Sequence, residues 1–178
     1  MRDYGNDHVQ ALRERFSVFQ GGKAGNELGC CIGKAWAAGL LEGHGADAQA
    51  LRDAGRDYAR LWYEYYGLSQ VRTSRFERHS KGFASAAVTP DQRRFLKLDG
   101  IVSARPSAHR DAFYALCVDY FDSDALPPFV DRLINERLML KGLKVPGCLP
   151  IKGDAERLEK AAVTLLAIVE GDRVRKAA

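Results

Sequence analysis

The sequence lacks the motifs that mark common enzyme chemistries. It contains no HExxH, GxSxG or P-loop spacing, so it shows no metal-bound base, activated serine or phosphate cradle. Its histidines, at positions 8, 44, 79 and 109, are scattered. The sequence therefore favours a non-enzymatic protein without a cofactor, and leaves open only a site assembled from separated His, Asp and Glu residues.

Cysteine is scarce, and its spacing indicates neither a disulfide framework nor a zinc site. The four cysteines are Cys30, Cys31, Cys117 and Cys148, with no CxxC among them. Adjacent cysteines do not readily bond to each other, and they are awkward metal ligands. We predict four reduced, buried thiols, no metal site and a cytoplasmic location.

Long apolar runs are also missing. No stretch approaches the roughly 18 apolar residues that a membrane span needs, and the N-terminal residues do not resemble a secretion signal. We therefore expect a soluble protein with no membrane partner.

The pattern that is present is helical periodicity. The chain has 178 residues, 46% of them hydrophobic, which is enough for one substantial core. Apolar residues at helical spacing predict an all-α fold of about seven helices. The predicted helices span residues 7–19, 27–41, 47–67, 90–104, 108–120, 128–141 and 154–169. We predict a single domain over 1–178, with a possible division into a helical hairpin unit (1–67), a basic loop (68–89) and a helical bundle (90–178).

Small residues recur every four positions in the second predicted helix, at Gly29, Gly33 and Ala37. Such a face lets another backbone come close, which would offset the cost of about 1 kcal/mol per glycine. The partner is either another helix of the same chain or a second copy, so a homodimer is a possible use of this face.

Positive charge is concentrated between residues 68 and 97. This stretch holds seven basic residues against two acids, whereas the whole chain carries a net charge of only +4. The basic residues are Arg72, Arg75, Arg78, Lys81, Arg93, Arg94 and Lys97. Interleaved aromatic residues suit phosphate contacts combined with base stacking. The competing interpretation is a solvated, arginine-rich loop with no ligand.

A second basic feature is the stripe formed by Arg52, Arg56 and Arg60 at intervals of four. It either extends the basic region into a surface for a polyanion or is neutralised locally. Local neutralisation predicts three pairs: Asp53 with Arg56, Asp57 with Arg60, and Arg60 with Glu64. The short turn "GLLEGHGADA", before the helix that bears this stripe, suggests a helix-turn-helix motif. The match is poor, because Gly45 stands where the motif requires a buried aliphatic residue.

The segment "DAGRDYARLWYEYYG" places four large aromatic residues directly behind the arginines. On a helix, Tyr58, Trp62 and Tyr65 follow the apolar stripe, whereas Tyr63 points away from it. We therefore interpret most of the rings as core that anchors the following basic region.

Four blocks resemble a family of prophage-encoded proteins of alphaproteobacteria. They are "MRDYGN" at the start, "AGLL" at 38–41, the aromatic segment at 53–67 and "DRLINERL" at 131–138. The resemblance implies a phage context, and it implies no functional residues.

These observations predict a phage-type nucleic-acid-binding protein, regulatory or accessory, with DNA as its ligand. Transcription regulation, antitermination and DNA packaging are the roles considered. The basic residues of 68–97 would contact phosphates, with Arg52, Arg56 and Arg60 in support. The alternative is a protein-interaction module that docks on a host or phage enzyme such as RNA polymerase.

Overall fold

The described residues form six α-helices, one short 3-10 helix and a further helical segment at residues 14–19. The computed structural model describes residues 11, 14–19, 26–76, 88–121, 125–145 and 147–176, with only the backbone for 26, 27, 67–76 and 174–176. A short 3-10 helix, Asn26–Gly29, precedes α1 (Cys31–Ala37), α2 (Ala48–Phe76), α3 (Pro90–Ser103), α4 (Ser107–Cys117), α5 (Pro128–Leu140) and α6 (Asp154–Lys176). Residues 14–19 are helical as well, and the described ranges contain no strand. The all-α prediction is confirmed.

Side-chain capping hydrogen bonds fix the starts of α2 and α3. Asp47 accepts a hydrogen bond from the backbone of Ala50 at 3.2 Å and so caps α2. Thr89 and Gln92 form a reciprocal capping box around Pro90 at the start of α3. The predicted starts of these two helices are thus confirmed by the hydrogen bonds that hold them.

Several predicted helix bounds are wrong, and α6 in particular continues to Lys176 instead of ending near residue 169. The helix predicted over 27–41 is broken at Cys30, and α1 ends at Ala37 because Gly39 takes a left-handed conformation, with φ of 74°. Gly67 does not end α2, which continues to Phe76, so the predicted loop begins at least nine residues too early. A glycine ends a helix only where the backbone turns left-handed, and Gly67 stays helical.

The break at Cys30 also divides the predicted small-residue face. Gly29 lies in the 3-10 helix with no atom within 4 Å of the position of a Cβ, whereas Gly33 and Ala37 are buried in α1. These three residues therefore do not form one helical face, and the homodimer remains a prediction without that support.

One hydrophobic cluster includes buried side chains from every helix. Helix α6 is central to it and packs against α2, α3, α4 and α5, most extensively against α4. Its buried residues include Leu165 and Ile168. The proposed division of the chain near residues 68–89 stays a prediction, because residues 77–87 lie outside the described ranges.

Tyr58 joins three helices through both its ring and its hydroxyl. It is fully buried in α2, and its ring meets Phe113 of α4 edge to face at 5.0 Å. The hydroxyl donates to Asp99 of α3 at 2.8 Å and lies 3.3 Å from the hydroxyl of Tyr114. Burial and these hydrogen bonds raise the pKa of Tyr58, so the hydroxyl remains a donor.

Gly55 is the point where three other side chains meet α2. A Cβ there would overlap Cδ1 of Ile32 from α1, and it would lie 3.0 Å from both Sγ of Cys117 and Cδ2 of Leu165. The absence of a side chain thus allows α1, α4 and α6 to reach the same place on α2. In contrast, nothing lies within 4 Å of a Cβ on Gly100 of α3.

The prediction of buried thiols is confirmed for three cysteines and wrong for the fourth. Cys30, Cys31 and Cys117 are buried, whereas Cys148 is exposed, and none of the four forms a disulfide. Burial raises the pKa of the Cys31 thiol, although the charge of Lys34 opposes the shift. Cys148 lies in the connector before α6, where no periodicity marks a buried side.

An ion pair ties the start of α6 to α5. Arg132 donates two hydrogen bonds of 2.8 Å to the carboxylate of Asp154, which also accepts from the backbone of Ile151 at 2.9 Å. Asp154, which was predicted to cap this helix, is its first residue. Its carboxylate is directed to Arg132 of α5 and to Ile151 of the preceding connector. The hydrogen bonds from Arg132 lower the pKa of Asp154.

We predict that Gly55→Ala lowers the free energy of unfolding by about 1–3 kcal/mol, because the added methyl overlaps packed side chains. Gly100→Ala, the matched change in α3, should raise it by about 0.5–1 kcal/mol through helix propensity alone. Urea denaturation of both variants measures the difference. Shifts of the same sign would contradict the packing described for Gly55.

We also predict a pH-dependent effect of Asp154→Asn. Because the native pKa of Asp154 lies below its ordinary value of 3.8, the charged carboxylate stabilises the fold fully above that pH. The contribution disappears as pH falls through the native pKa. The stability lost in the variant should therefore be greatest near neutral pH and should shrink in acid. Glu156→Gln, which breaks an exposed pair with Lys160, should cost much less. A pH-independent loss in Asp154→Asn would argue against the ion pair.

Candidate nucleic-acid interface

The structure distributes the predicted phosphate contacts over two helices. Arg52, Arg56 and Arg60 lie in the first half of α2, whereas Arg72 and Arg75 lie in its last turns. Arg93, Arg94 and Lys97 belong to α3. The remaining two predicted residues, Arg78 and Lys81, lie outside the described residues.

Arg52 does not lie on an exposed stripe, contrary to the prediction. It is 7% exposed, its guanidinium lies 4.2 Å from the ring centre of Trp36, and it donates to Asp53 at 2.8 Å. Arg52 therefore packs α2 against α1 and is not available to a phosphate. Asp53 is occupied in this way, so the predicted pair with Arg56 does not form.

Arg60 is neutralised within α2, and both of its predicted pairs are confirmed. It donates to Asp57 at 2.9 Å and to Glu64 at 2.8 Å. These hydrogen bonds raise the pKa of Arg60, and the one that Asp57 accepts has the largest effect. Pairs at this spacing follow directly from helix geometry, which is why the sequence was sufficient to find them.

Arg94 holds three helices together. Its guanidinium pairs with Asp57 of α2 and, at 3.3 Å, with Asp172 of α6. An adjacent open groove of about 360 Å³ is lined by Asp53, Asp57 and Asp172 as well as by Arg94 and Arg173. Three carboxylates against two guanidiniums make this groove unsuited to a polyanion.

Arg93 and Lys97 differ from Arg94 in both exposure and pairing. Both are exposed, and their spacing of four residues places them on one face of α3. The buried face of that helix is formed by Phe95, Leu98 and Val102. Neither cation forms an ion pair with an acid of the described residues, so their charge faces solvent.

The basic part of α2 lies near the start of α3. Asp99 of α3 binds Tyr58, whereas Thr89, before α3, lines a groove with Glu64 and Tyr65, so the two helices are antiparallel. Residues 67–76 continue α2 for about 15 Å beyond Tyr66. The backbone positions of Arg72 and Arg75 are therefore in the helical extension at the end where α3 begins.

The aromatic residues before this extension pack against the bundle and are not a free platform. Tyr65 and Tyr66 contact Phe95, with ring centres at 4.8 and 5.9 Å. Tyr63 stacks on Phe121 at 5.6 Å, and its hydroxyl donates to the backbone of Val118 at 2.8 Å. The prediction that the rings anchor the basic region agrees with these contacts, although Tyr63, expected to point away, is also held.

No catalytic or metal-binding cluster stands out in the part of the chain that the structure describes. Within it, no group of three His, Cys, Asp or Glu residues is arranged to hold a metal ion. His109 of α4 has a buried Nδ1 with no hydrogen-bond partner among the described residues, a feature that no sequence pattern predicts. Among the described helices, none combines the length and apolar character needed to cross a bilayer.

Comparisons with protein-family models, with curated proteins and with solved structures found no match to this chain. The candidate interface therefore rests on its residues and their geometry.

We predict that Arg52→Ala lowers the free energy of unfolding by about 1–2 kcal/mol, because it removes a buried cation from the face of Trp36. Arg93→Ala, at an exposed site without an ion pair in the described residues, should change stability by no more than about 0.5 kcal/mol. Thermal or urea denaturation compares the two variants. An equal effect would place Arg52 on the surface as first predicted.

Proposed function

We propose that the protein binds nucleic acid, with DNA as the expected ligand, and acts as a regulatory or accessory protein of phage type. The supporting observation is that Arg93 and Lys97 are exposed and form no ion pair with an acid of the described residues, beside the helical extension that bears Arg72 and Arg75. We call these four residues the basic end. Transcription regulation, antitermination and DNA packaging are the roles that fit the phage resemblance.

Ion pairing inside the bundle narrows the set of phosphate contacts. Arg52, Arg60 and Arg94 each have acidic partners. The ion pairs of Arg94 join three helices, and Arg52 also joins α2 to α1 by stacking on Trp36. A cation that already pairs with a carboxylate gains less from a phosphate, because the first interaction must be given up. The proposal therefore rests on the basic end, with Arg78 and Lys81 adding positive charge in the sequence between its two halves.

Helix geometry supports phosphate contact by both halves of the basic end. Arg93 and Lys97 are one turn apart, about 6 Å along α3, and Arg72 and Arg75 are about 4.5 Å apart along α2. Phosphates along one DNA strand repeat about every 3.4 Å of helix axis, so these spacings correspond to phosphates one or two nucleotides apart. Each pair can therefore contact neighbouring phosphates without a change in the fold.

The deciding experiment is fluorescence anisotropy with labelled duplex and single-stranded DNA over a series of salt concentrations. We expect affinity to fall linearly with salt on a logarithmic scale, because bound cations release counterions. The double variant Arg93→Ala/Lys97→Ala should reduce the slope with duplex DNA by about 1.8, which corresponds to two phosphate contacts. Arg72→Ala/Arg75→Ala should act in the same direction.

The matched control is Arg105→Ala/Arg110→Ala. It removes the same net charge from the opposite end of α3 and from the start of α4, both half-buried positions. Its slope should remain that of the unmodified protein. Negligible binding of both DNA forms at low salt would reject the proposal, and equal losses in all three double variants would reduce it to nonspecific charge attraction.

A pull-down with nuclease treatment tests the alternative, in which the protein is a docking module for another protein. Capture of RNA polymerase subunits that persists after nuclease treatment, and that is unaffected by Arg93→Ala/Lys97→Ala, would favour docking over nucleic-acid binding. Capture that disappears with nuclease would indicate that nucleic acid bridges the two proteins.

A further inference from the structure

A second candidate site lies away from the basic end, where α1 and α5 terminate side by side. An open groove of about 220 Å³ has Phe19, Trp36 and Leu140 as its large apolar residues. Arg137 and Lys141 border it, as does Glu42. Ligand pockets usually measure about 300–1,000 Å³, so this groove accommodates one or two side chains and not a whole small molecule.

The walls of the groove are preformed by two matching helix ends. Leu40 donates to the carbonyl of Ala35 at 2.9 Å after α1, and Leu143 donates to that of Leu138 at 3.2 Å after α5. Each end is closed by a glycine with positive φ, Gly39 at 74° and Gly142 at 84°. These bonds fix the backbone on both sides of the groove.

Trp36 is held in place from behind. Arg52, itself buried, stacks over the indole at 4.2 Å. The indole is half-buried, and its remaining exposed part lines the groove. A ring fixed in this way presents a constant apolar surface, which lowers the entropy cost of binding a partner side chain.

Exposed apolar side chains are frequent in the last turn of α5 and in the connector that follows it. Of the eleven large hydrophobic residues that are exposed in the described part of the chain, five lie between positions 139 and 151. They are Met139, Leu140, Leu143, Leu149 and Ile151. Leu140 is 76% exposed, the highest value among them. Of the five, Leu140 lines the groove, whereas the connector that bears Leu149 and Ile151 contacts Asn135, nearer the middle of α5. Single exposed hydrophobic residues are ordinary, so the apolar part of the site is defined by Leu140 and Trp36.

Positive charge exceeds negative charge around the groove, although Glu42 lines it and Glu136 is exposed one turn before Leu140. Residues 137–153 contain four cations, Arg137, Lys141, Lys144 and Lys152, and no acid. Neither of the two that border the groove forms an ion pair with an acid of the described residues. A complementary partner therefore carries carboxylates next to an apolar side chain.

We propose that this groove binds an acidic amphipathic helix of a partner protein. One apolar side chain of that helix inserts between Trp36 and Leu140, and carboxylates one turn to either side pair with Arg137 and Lys141. An anionic bilayer offers the same charge but is flat, whereas the site is concave between two helix ends. The concavity favours a peptide.

The test uses a labelled synthetic peptide of about 14 residues with leucine at helical positions i, i+3, i+4 and i+7 and Asp or Glu at the others. Its binding is followed by anisotropy, and the indole N–H resonance of Trp36 is followed by NMR. We expect saturable binding that shifts this resonance. A peptide with lysine in place of every acid should bind at least about tenfold more weakly, because Arg137 and Lys141 then repel it.

Leu140→Glu and Met139→Glu form a matched pair. Both add one negative charge to the same exposed turn of α5, but only Leu140 lines the groove. Leu140→Glu should weaken binding of the acidic peptide at least about tenfold beyond Met139→Glu, and circular dichroism should show both variants folded. We expect both variants to fold, because Met139 and Leu140 are exposed.

Three results would overturn the proposal: no binding of the acidic peptide, equal binding of the lysine peptide, or equal effects of the two α5 substitutions. Vesicles containing phosphatidylglycerol provide the remaining comparison, since protein that sediments with them but ignores the peptide would assign this surface to a membrane. None of these results depends on DNA binding by the basic end.

Discussion

The packing of the bundle depends on the missing side chain at Gly55. Ile32, Cys117 and Leu165 reach α2 at this one point, and they come from three different helices that are distant in sequence. Interiors pack at crystal-like density, so an added methyl group here cannot be absorbed by one neighbour alone. Tyr58, one turn further along α2, adds α3 to the same junction through Asp99. The position of α2 thus determines where the other helices lie.

This junction explains which parts of the fold could be predicted from sequence. Helices α3, α4, α5 and α6 are amphipathic and begin at proline or a capping residue, so local pattern was sufficient to locate them. The interruption at Cys30 and the continuation of α2 past Gly67 were not predictable in this way. A glycine is compatible with a helix, a turn or a close contact, and only the tertiary surroundings of Gly39, Gly55 and Gly67 distinguish these uses.

The same difference between local pattern and tertiary contact applies to the candidate sites. The pairs of Arg60 with Asp57 and Glu64 lie within one helix and follow from spacing, whereas Arg94 and Asp172 are 78 residues apart and meet only through the fold. The composition therefore indicated the excess of positive charge correctly, but it did not indicate which cations were already neutralised. Trp36 and Leu140 are likewise far apart in sequence, and no pattern in either segment shows that they share a groove.

The continuity of α2 has a geometric consequence for the arginines beyond the bundle. Its backbone is one helix from Ala48 to Phe76, with its first two-thirds fixed by packing and its last ten residues continuing in the same register. Each residue turns a helix by about 100°, so inserting or deleting one residue after Tyr66 would rotate the backbone positions of Arg72 and Arg75 about the helix axis, while the packing described for residues 48–66 stays as it is. The angular position of these arginines relative to the bundle is therefore encoded by a count of residues.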